Sequence, residues 1–162
     1  MRSVPVGFEL VDSGDRAPVL APFDGHLIDE VPVLGAEAVD AAVQVGRECM
    51  ERPLPAHERA AILDRAAALI LERTEVIAKD LALEAAKPIR TARTEVERCA
   101  STLTFSAVEA RTMVGEQIPM DASVAGVGKL AFTLRVPIGV VGAITPFNFP
   151  LNLVAHKVGP AI

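Results

Sequence analysis

The sequence predicts an α/β protein: an amino-terminal β-hairpin, four helices in succession, a second β-hairpin, and the first β-turn-α unit of a Rossmann-like, doubly wound sheet. Three observations predict it. Apolar residues recur every three or four positions through residues 36–114, the period of helices that bury one face. After Gly115 the period falls to two: Leu130, Phe132, Leu134 and Val136 alternate with Lys129, Ala131, Thr133 and Arg135, as in a strand with one wet face. Residues 138–144, Ile-Gly-Val-Val-Gly-Ala-Ile, carry no polar side chain, which fits a strand buried on both faces of a parallel sheet.

The elements follow in order. Val19, Leu20 and Ala21 and then His26, Leu27 and Ile28 flank Pro22-Phe23-Asp24-Gly25, where Asp-Gly supplies the positive φ of a hairpin turn. From residue 36 to about residue 50, Val39, Ala42, Val43, Gly46 and Cys49 or Met50 keep helical spacing, and Pro53 and Pro55 close the segment. Pro55 opens a second helix with Ile62, Leu63, Ala66, Leu69 and Ile70 on its apolar face. Thr74 is the expected amino cap of a third, carrying Ile77, Ala78, Leu81 and Ala85, which stops near Lys87 because Pro88 disfavours helix before it. Pro88 suits the first turn of a fourth helix, with Ile89, Ala92, Val96, Cys99, Leu103, Ala107, Ala110 and Val114 in one stripe and Gly115 as its stop. Residues 124–128 are the preceding strand or the turn before Lys129. Residues 145–150, Thr-Pro-Phe-Asn-Phe-Pro, form a compact turn, and Pro150 begins a last helix with Leu151, Val154, Val158 and Ile162 facing inward.

The chain has 162 residues, 51% apolar, enough for one ordinary domain with a core and incompatible with global disorder. Sixteen Lys+Arg against 21 Asp+Glu leave a net charge of −5, so no basic stripe is available for nucleic acid or an anionic membrane. With six Phe, no Trp and no Tyr, base stacking is also disfavoured. Cys49 and Cys99 lack the paired spacing of a zinc or redox motif, which suits a reducing cytoplasm. The amino terminus, beginning Met1-Arg2, is interrupted by Glu9, Asp12, Asp15 and Arg16 before any apolar signal core. Pro137, Pro146 and Pro150 break the one long apolar region, so no membrane span is expected.

Candidate chemistry concentrates at residues 145–150, because ligands of open α/β sheets bind beyond the carboxyl ends of strands. Gly139 and Gly142 precede that turn instead of following the strand, so a G-x-G-x-x-G phosphate loop is absent and a packing role for both is favoured. Asn148 is the one amide of the turn. Its NH₂ could donate to an oxygen that becomes negative during a reaction, although spacing alone favours an Asn fixing its own turn. Lys157 on the last helix reads first as a solvated side chain, with a buried proton relay as the alternative. Neither cysteine has the cation, histidine or helix start that activates a thiol, so structural burial is expected for both. His26, His57 and His156 are scattered without metal spacing, and no metal site is indicated. Glu84, Glu95, Glu97 and Glu109 are spaced like ordinary solvent-facing acids.

The run from Arg135 to Pro150, RVPIGVVGAITPFNFP, followed by Lys157 and Pro160-Ala161, closely resembles the start of the cofactor domain in the aldehyde dehydrogenase superfamily. Pro22-Phe23-Asp24-Gly25, Arg59 with Ile62-Leu63 and Ala66-Ala67, Lys87-Pro88 and Glu95-Val96 fall in that family's order, so the resemblance covers nearly the whole chain. It implies NAD- or NADP-dependent oxidation of a small aldehyde through a cysteine thiohemiacetal, then hydrolysis of the thioester by water that a glutamate activates. By the same resemblance, Asn148 is the oxyanion-hole amide, Lys157 a lysine near the active site, and Ile144, Thr145, Pro146 and Phe147 the nicotinamide side of the cofactor pocket. The resemblance divides the chain into a helical amino-terminal part, residues 1–118, oligomerisation strands, residues 119–137, and the start of the nucleotide-binding sheet, residues 138–162. It implies a homo-oligomer.

Phe147 stands where many members carry Trp, a variant that resembles the branch acting on lactaldehyde-like, phosphonoacetaldehyde-like and semialdehyde substrates. Ala86 replaces a common Gly before Lys87, which suggests a helix end without a left-handed residue. The nucleophilic cysteine, the general-base glutamate and the ribose-holding lysine of the family would all lie beyond Ile162, and neither Cys49 nor Cys99 matches the nucleophile's motif. The expectation is therefore a truncated aldehyde dehydrogenase fold that is incapable of catalysis alone. The competing reading is a non-enzymatic assembly or binding module that keeps the amino-terminal fold, but such a module should carry polar blocks on its sheet edge, whereas residues 138–144 keep a fully apolar run.

Overall fold

In a computed structural model of the chain, residues 3–162 are described; Met1 and Arg2, part of the terminus read above as lacking a signal core, lie outside them. The chain opens with two antiparallel hairpins. Strands β1 (Val4–Val6) and β2 (Glu9–Val11) pair with Val4 opposite Val11; at three residues each, they are too short for a period-two signal. The expected hairpin follows as β3 (Arg16–Leu20) and β4 (Leu27–Pro32). Its turn is closed by the Ala21 N–H donating to His26 O at 2.9 Å, with Gly25 at φ +76°.

Four helices come next: α1 (Ala36–Met50), α2 (Ala56–Glu72), α3 (Thr74–Glu84) and α4 (Ile89–Thr112). The last helix is α5 (Asn152–Ala161). Helix α4 is the axis of the core. Ala60, Leu63 and Ala67 of α2 meet Cys99, Ala100, Leu103, Ala107 and Ala110 of α4 and Ala155 of α5. Ala78 and Leu81 of α3 meet Ala92 and Val96 of α4. Alanine at most contact positions lets these helices approach closely, and the larger buried side chains, Leu63 and Val96, each contribute about 1.5–3 kcal/mol of apolar burial.

Several expectations are corrected. Thr74 does not cap α3: it is the first helical residue, and its hydroxyl donates back to Leu71 O at 2.8 Å. Ala86 does adopt the left-handed conformation, at φ +48°, because α3 has to reverse into α4 within four residues. On α2 the buried row is Ala60, Leu63 and Ala67, with Ile62 46% exposed. On α5 the inward row is Asn152, Ala155 and Gly159, and Val154, Val158 and Ile162 face outward. Small residues win that face because α5 lies so close to α4: a Cβ on Gly159 would stand 2.6 Å from Ser106 Oγ. Cys99 is buried as expected, but Cys49 is exposed, since α1 buries no residue at all.

The sheet portion departs most. Residues 120–122 and 124–126 form two single 3₁₀ turns, so residues 124–128 are a turn and not a strand. The expected strand through residues 129–136 pairs only at Ala131–Phe132, β6, against Gln117–Ile118, β5. Its four large apolar side chains, Leu130, Phe132, Leu134 and Val136, are all exposed. Residues 138–144 form no ladder and are exposed in place of being doubly buried. A strand is stabilised by hydrogen bonds to a neighbour, and among the described residues none lies beside this segment; Gly139, at φ +110°, interrupts the extended backbone further. Residues 138–142 instead border a groove of ≈ 790 Å³ shared with Val6 and the Val39, Ala42 and Val43 face of α1.

Candidate functional site

The turn between residues 144 and 152 is held from below by two charged side chains. Glu95 sits on α4 one turn from both Ala92 and Cys99, inside the apolar stripe, and is 1% exposed. Its Oε1 accepts the Leu151 N–H at 2.9 Å and the Asn152 N–H at 3.2 Å. Those are orphan donors at the start of α5, so Glu95 caps that helix from a distant part of the chain. Its Oε2 lies 2.5 Å from Lys87 Nζ. Lys87 also donates to the Asn148 carbonyl at 2.9 Å and stands 4.5 Å from the centre of the Phe149 ring. A second contact anchors α5 behind the cap, where Asn152 Oδ1 lies 3.1 Å from the Thr102 hydroxyl.

Above this support an open hollow of ≈ 410 Å³ is lined by Pro22, Glu84, Ala85, Lys87, Phe147, Asn148 and Pro150. Asn148 is exposed there, and among the described residues its side-chain amide makes no hydrogen bond; the contact it does make is through its backbone carbonyl. An Asn that built the turn through its own side chain would show a bond to a nearby backbone N–H or C=O. The amide is thus free to donate to a ligand in the hollow.

Phe147 lines the same hollow and is 91% exposed. Ile144, also 91% exposed, half-buried Thr145 and exposed Pro146 continue the turn away from it. Lys157 is exposed on α5 and does not line the hollow.

Two residues are central to this arrangement, Lys87 and Glu95, and the expectation that Glu95 faces solvent is corrected: it is buried. A signal was present: Glu95 stands at the angular position between Ala92 and Cys99 that an amphipathic helix reserves for its buried face. Cys99 lies behind the turn, with its sulfur 3.9 Å from Leu151 O. Burial, and secondarily the Glu95 carboxylate, push its thiol up to about 11, so it stays protonated and inert at neutral pH. Beside the hollow, in the β3–β4 turn, a 2.6 Å hydrogen bond from His26 holds the Asp24 carboxyl below its usual range. Among the described residues no cluster of three His, Cys, Asp or Glu could hold a metal, and no helix is long and apolar enough to cross a membrane.

The model of the aldehyde dehydrogenase family matches residues 10–162. The 3-sulfolactaldehyde dehydrogenase of Priestia aryabhattai is 40% identical over 157 residues, which are 97% of this chain and 33% of that protein. The NADP-dependent glyceraldehyde-3-phosphate dehydrogenase of Bacillus halodurans, solved with NADP, superimposes with a TM-score of 0.92 at 36% identity, covering 99% of this chain and 35% of that one. PnpE, solved with nicotinamide adenine dinucleotide, gives a TM-score of 0.89 at 33% identity, covering 99% and 33%. The chain spans about a third of the length of the curated relatives it matches.

Proposed function

Because the chain belongs to the aldehyde dehydrogenase family, we propose that it is the amino-terminal part of an NAD- or NADP-dependent enzyme that oxidises a small aldehyde to a carboxylate. The observation that carries this reading is the free Asn148 amide, presented at a hollow by a backbone that Lys87 clamps. When a nucleophile attacks an aldehyde, charge moves onto the carbonyl oxygen, and a fixed amide donor aimed there stabilises the transition state more than the bound aldehyde. Asn148 is assigned that role. Lys157 is assigned a place near the reacting groups in the whole protein; its exposed position here makes it the weaker of the two.

The nicotinamide cofactor, when bound, accepts a hydride. Ile144, Thr145, Pro146 and Phe147 would hold it. The exposed Ile144 and Phe147 side chains offer apolar surface suited to a flat ring, and the turn's carbonyls and N–H groups offer polar contacts at its edge. The substrate class we propose is lactaldehyde-like or semialdehyde-like, on the grounds of Phe147 and the sulfolactaldehyde-oxidising relative. The chain by itself is proposed to be inactive, with the nucleophile supplied by the rest of the protein. Residues 119–137 are assigned to assembly of a homo-oligomer, since Leu130, Phe132, Leu134 and Val136 leave a row of large apolar side chains uncovered.

The test is an assay of the full-length protein that carries this chain, with lactaldehyde and with succinate semialdehyde, each with NAD⁺ and with NADP⁺. Reduction of either nucleotide dependent on aldehyde supports the reading. No reduction with either aldehyde and either nucleotide would overturn it.

A further inference from the structure

We infer that Lys87 and Glu95 are positioning residues of the same site, which fix the Asn148 peptide and the start of α5 in a single arrangement so that the Asn148 amide meets the reacting oxygen; this rests on the oxyanion reading of Asn148. The pair joins two distant stretches of chain. Glu95 is buried on α4, and Lys87 lies in the short α3–α4 connection with its side chain 11% exposed. Among the described residues, and apart from their mutual 2.5 Å contact, the hydrogen bonds of these two side chains go to backbone between residues 148 and 152: Asn148 O at 2.9 Å, Leu151 N at 2.9 Å and Asn152 N at 3.2 Å. The Lys87 ammonium also faces the Phe149 ring.

A buried ion pair is a poor way to gain stability, because desolvation offsets its attraction and apolar residues of similar volume would serve as well. What it supplies here is geometry. A carboxylate with two backbone donors on one oxygen and an ammonium on the other leaves its partners little freedom, and the ammonium passes that constraint to the carbonyl of Asn148, the residue that carries the working side chain. The left-handed Ala86 lies immediately before Lys87, and such a residue persists where the surroundings over-determine it. Misplacement of a reacting group by about 1 Å can cost as much as 10²-fold in rate, so loosening the backbone that both side chains hold should be visible in turnover.

The experiment is a double-mutant cycle in the full-length protein between Lys87→Met and Asn148→Ala, reading kcat, cofactor Kd and melting temperature. The expected result is that Lys87→Met lowers kcat roughly tenfold with cofactor Kd within about twofold of the parent, and that in the Asn148→Ala background it lowers kcat by less than about twofold. A merely structural Lys87 would give the same loss in both backgrounds. Additive losses, or an unchanged kcat in Lys87→Met, overturn this inference and leave the oxyanion reading standing. An Asn148→Ala variant with parental kcat overturns the oxyanion reading and this inference with it. Should Lys87→Met fail to fold, Lys87→Met/Glu95→Gln takes its place in the cycle under the same criteria, because it keeps the Oε1 acceptor without burying an unpaired charge.

Discussion

Replacing Glu95 by Ala removes the acceptor of two backbone N–H groups and leaves the Lys87 ammonium facing no carboxylate. Breaking one side of a buried, hydrogen-bonded pair typically costs about 3–5 kcal/mol. Lys87 keeps 11% side-chain exposure and can turn towards water, which places the expectation at the lower end. The loss should be local first, because Glu95 holds the α5 start while the α2–α4 contacts do not involve it. With each 1.4 kcal/mol worth a factor of ten, amide hydrogen exchange at Leu151 and Asn152 should accelerate roughly 10²–10³-fold in the full-length protein, with the α2–α4 core little changed. The control is Arg93→Ala, which breaks the exposed bidentate pair with Glu75 on α3; it should leave the Leu151 and Asn152 amides unaltered. Parental exchange at those two amides in the Glu95→Ala variant would refute the capping argument.

Ala86 is the one non-glycine at positive φ among the described residues, so Ala86→Gly should stabilise the protein by about 0.5–1 kcal/mol, the relief of left-handed strain less the added freedom of the unfolded chain; a lowered midpoint in urea denaturation would contradict this. Cys49 should be alkylated rapidly at pH 8 while Cys99 resists, as peptide mapping after iodoacetamide would report. Since the folded thiol of Cys99 lies above its ordinary value of 9.0, its contribution to stability is complete below about pH 9 and is lost as pH rises through about 11; a denaturation series across that window should show a steeper fall for the parent than for Cys99→Ala. Gly159→Leu should separate α5 from α4 and lower stability by about 1–3 kcal/mol through overpacking against Ser106 and Leu103, and an unchanged melting temperature would refute that close approach.

The helices were legible because each carries enough turns for its period to register. The expected span of α1 is the one found, and the stripe Ala92, Val96, Cys99, Leu103, Ala107 and Ala110 is buried along α4. The β3–β4 hairpin was legible through Asp24-Gly25. What failed depends on partners that a local pattern does not contain. Residues 138–144 have the composition of a buried strand, but burial needs neighbours, and here the segment is exposed. The inward face of α5 differs from the expected one because hydrophobicity ranks Val154 and Val158 above Gly159, whereas closeness to α4 ranks them the other way. At the site, Asn148 stands out in the sequence as the one amide of its turn, and its oxyanion role comes from the family resemblance and not from spacing. Glu95 reads as solvated because an acid on a helix ordinarily is, and only the fold reveals that α5 begins directly above it.

The oxyanion role proposed for the Asn148 amide, a donor to the oxygen of the reacting aldehyde, is read most directly in turnover. The measurement is kcat of Asn148→Ala and Asn148→Asp in the full-length protein, with cofactor Kd and melting temperature alongside. Loss of one oxyanion donor should lower kcat roughly 10²–10³-fold, about 3–4 kcal/mol, with cofactor Kd nearly unchanged. Asp should be at least as damaging as Ala because it sets a negative charge against the forming oxyanion. A normal kcat with a lowered melting temperature, or an Asp variant as active as the parent, would exclude the oxyanion role and assign Asn148 to the turn alone.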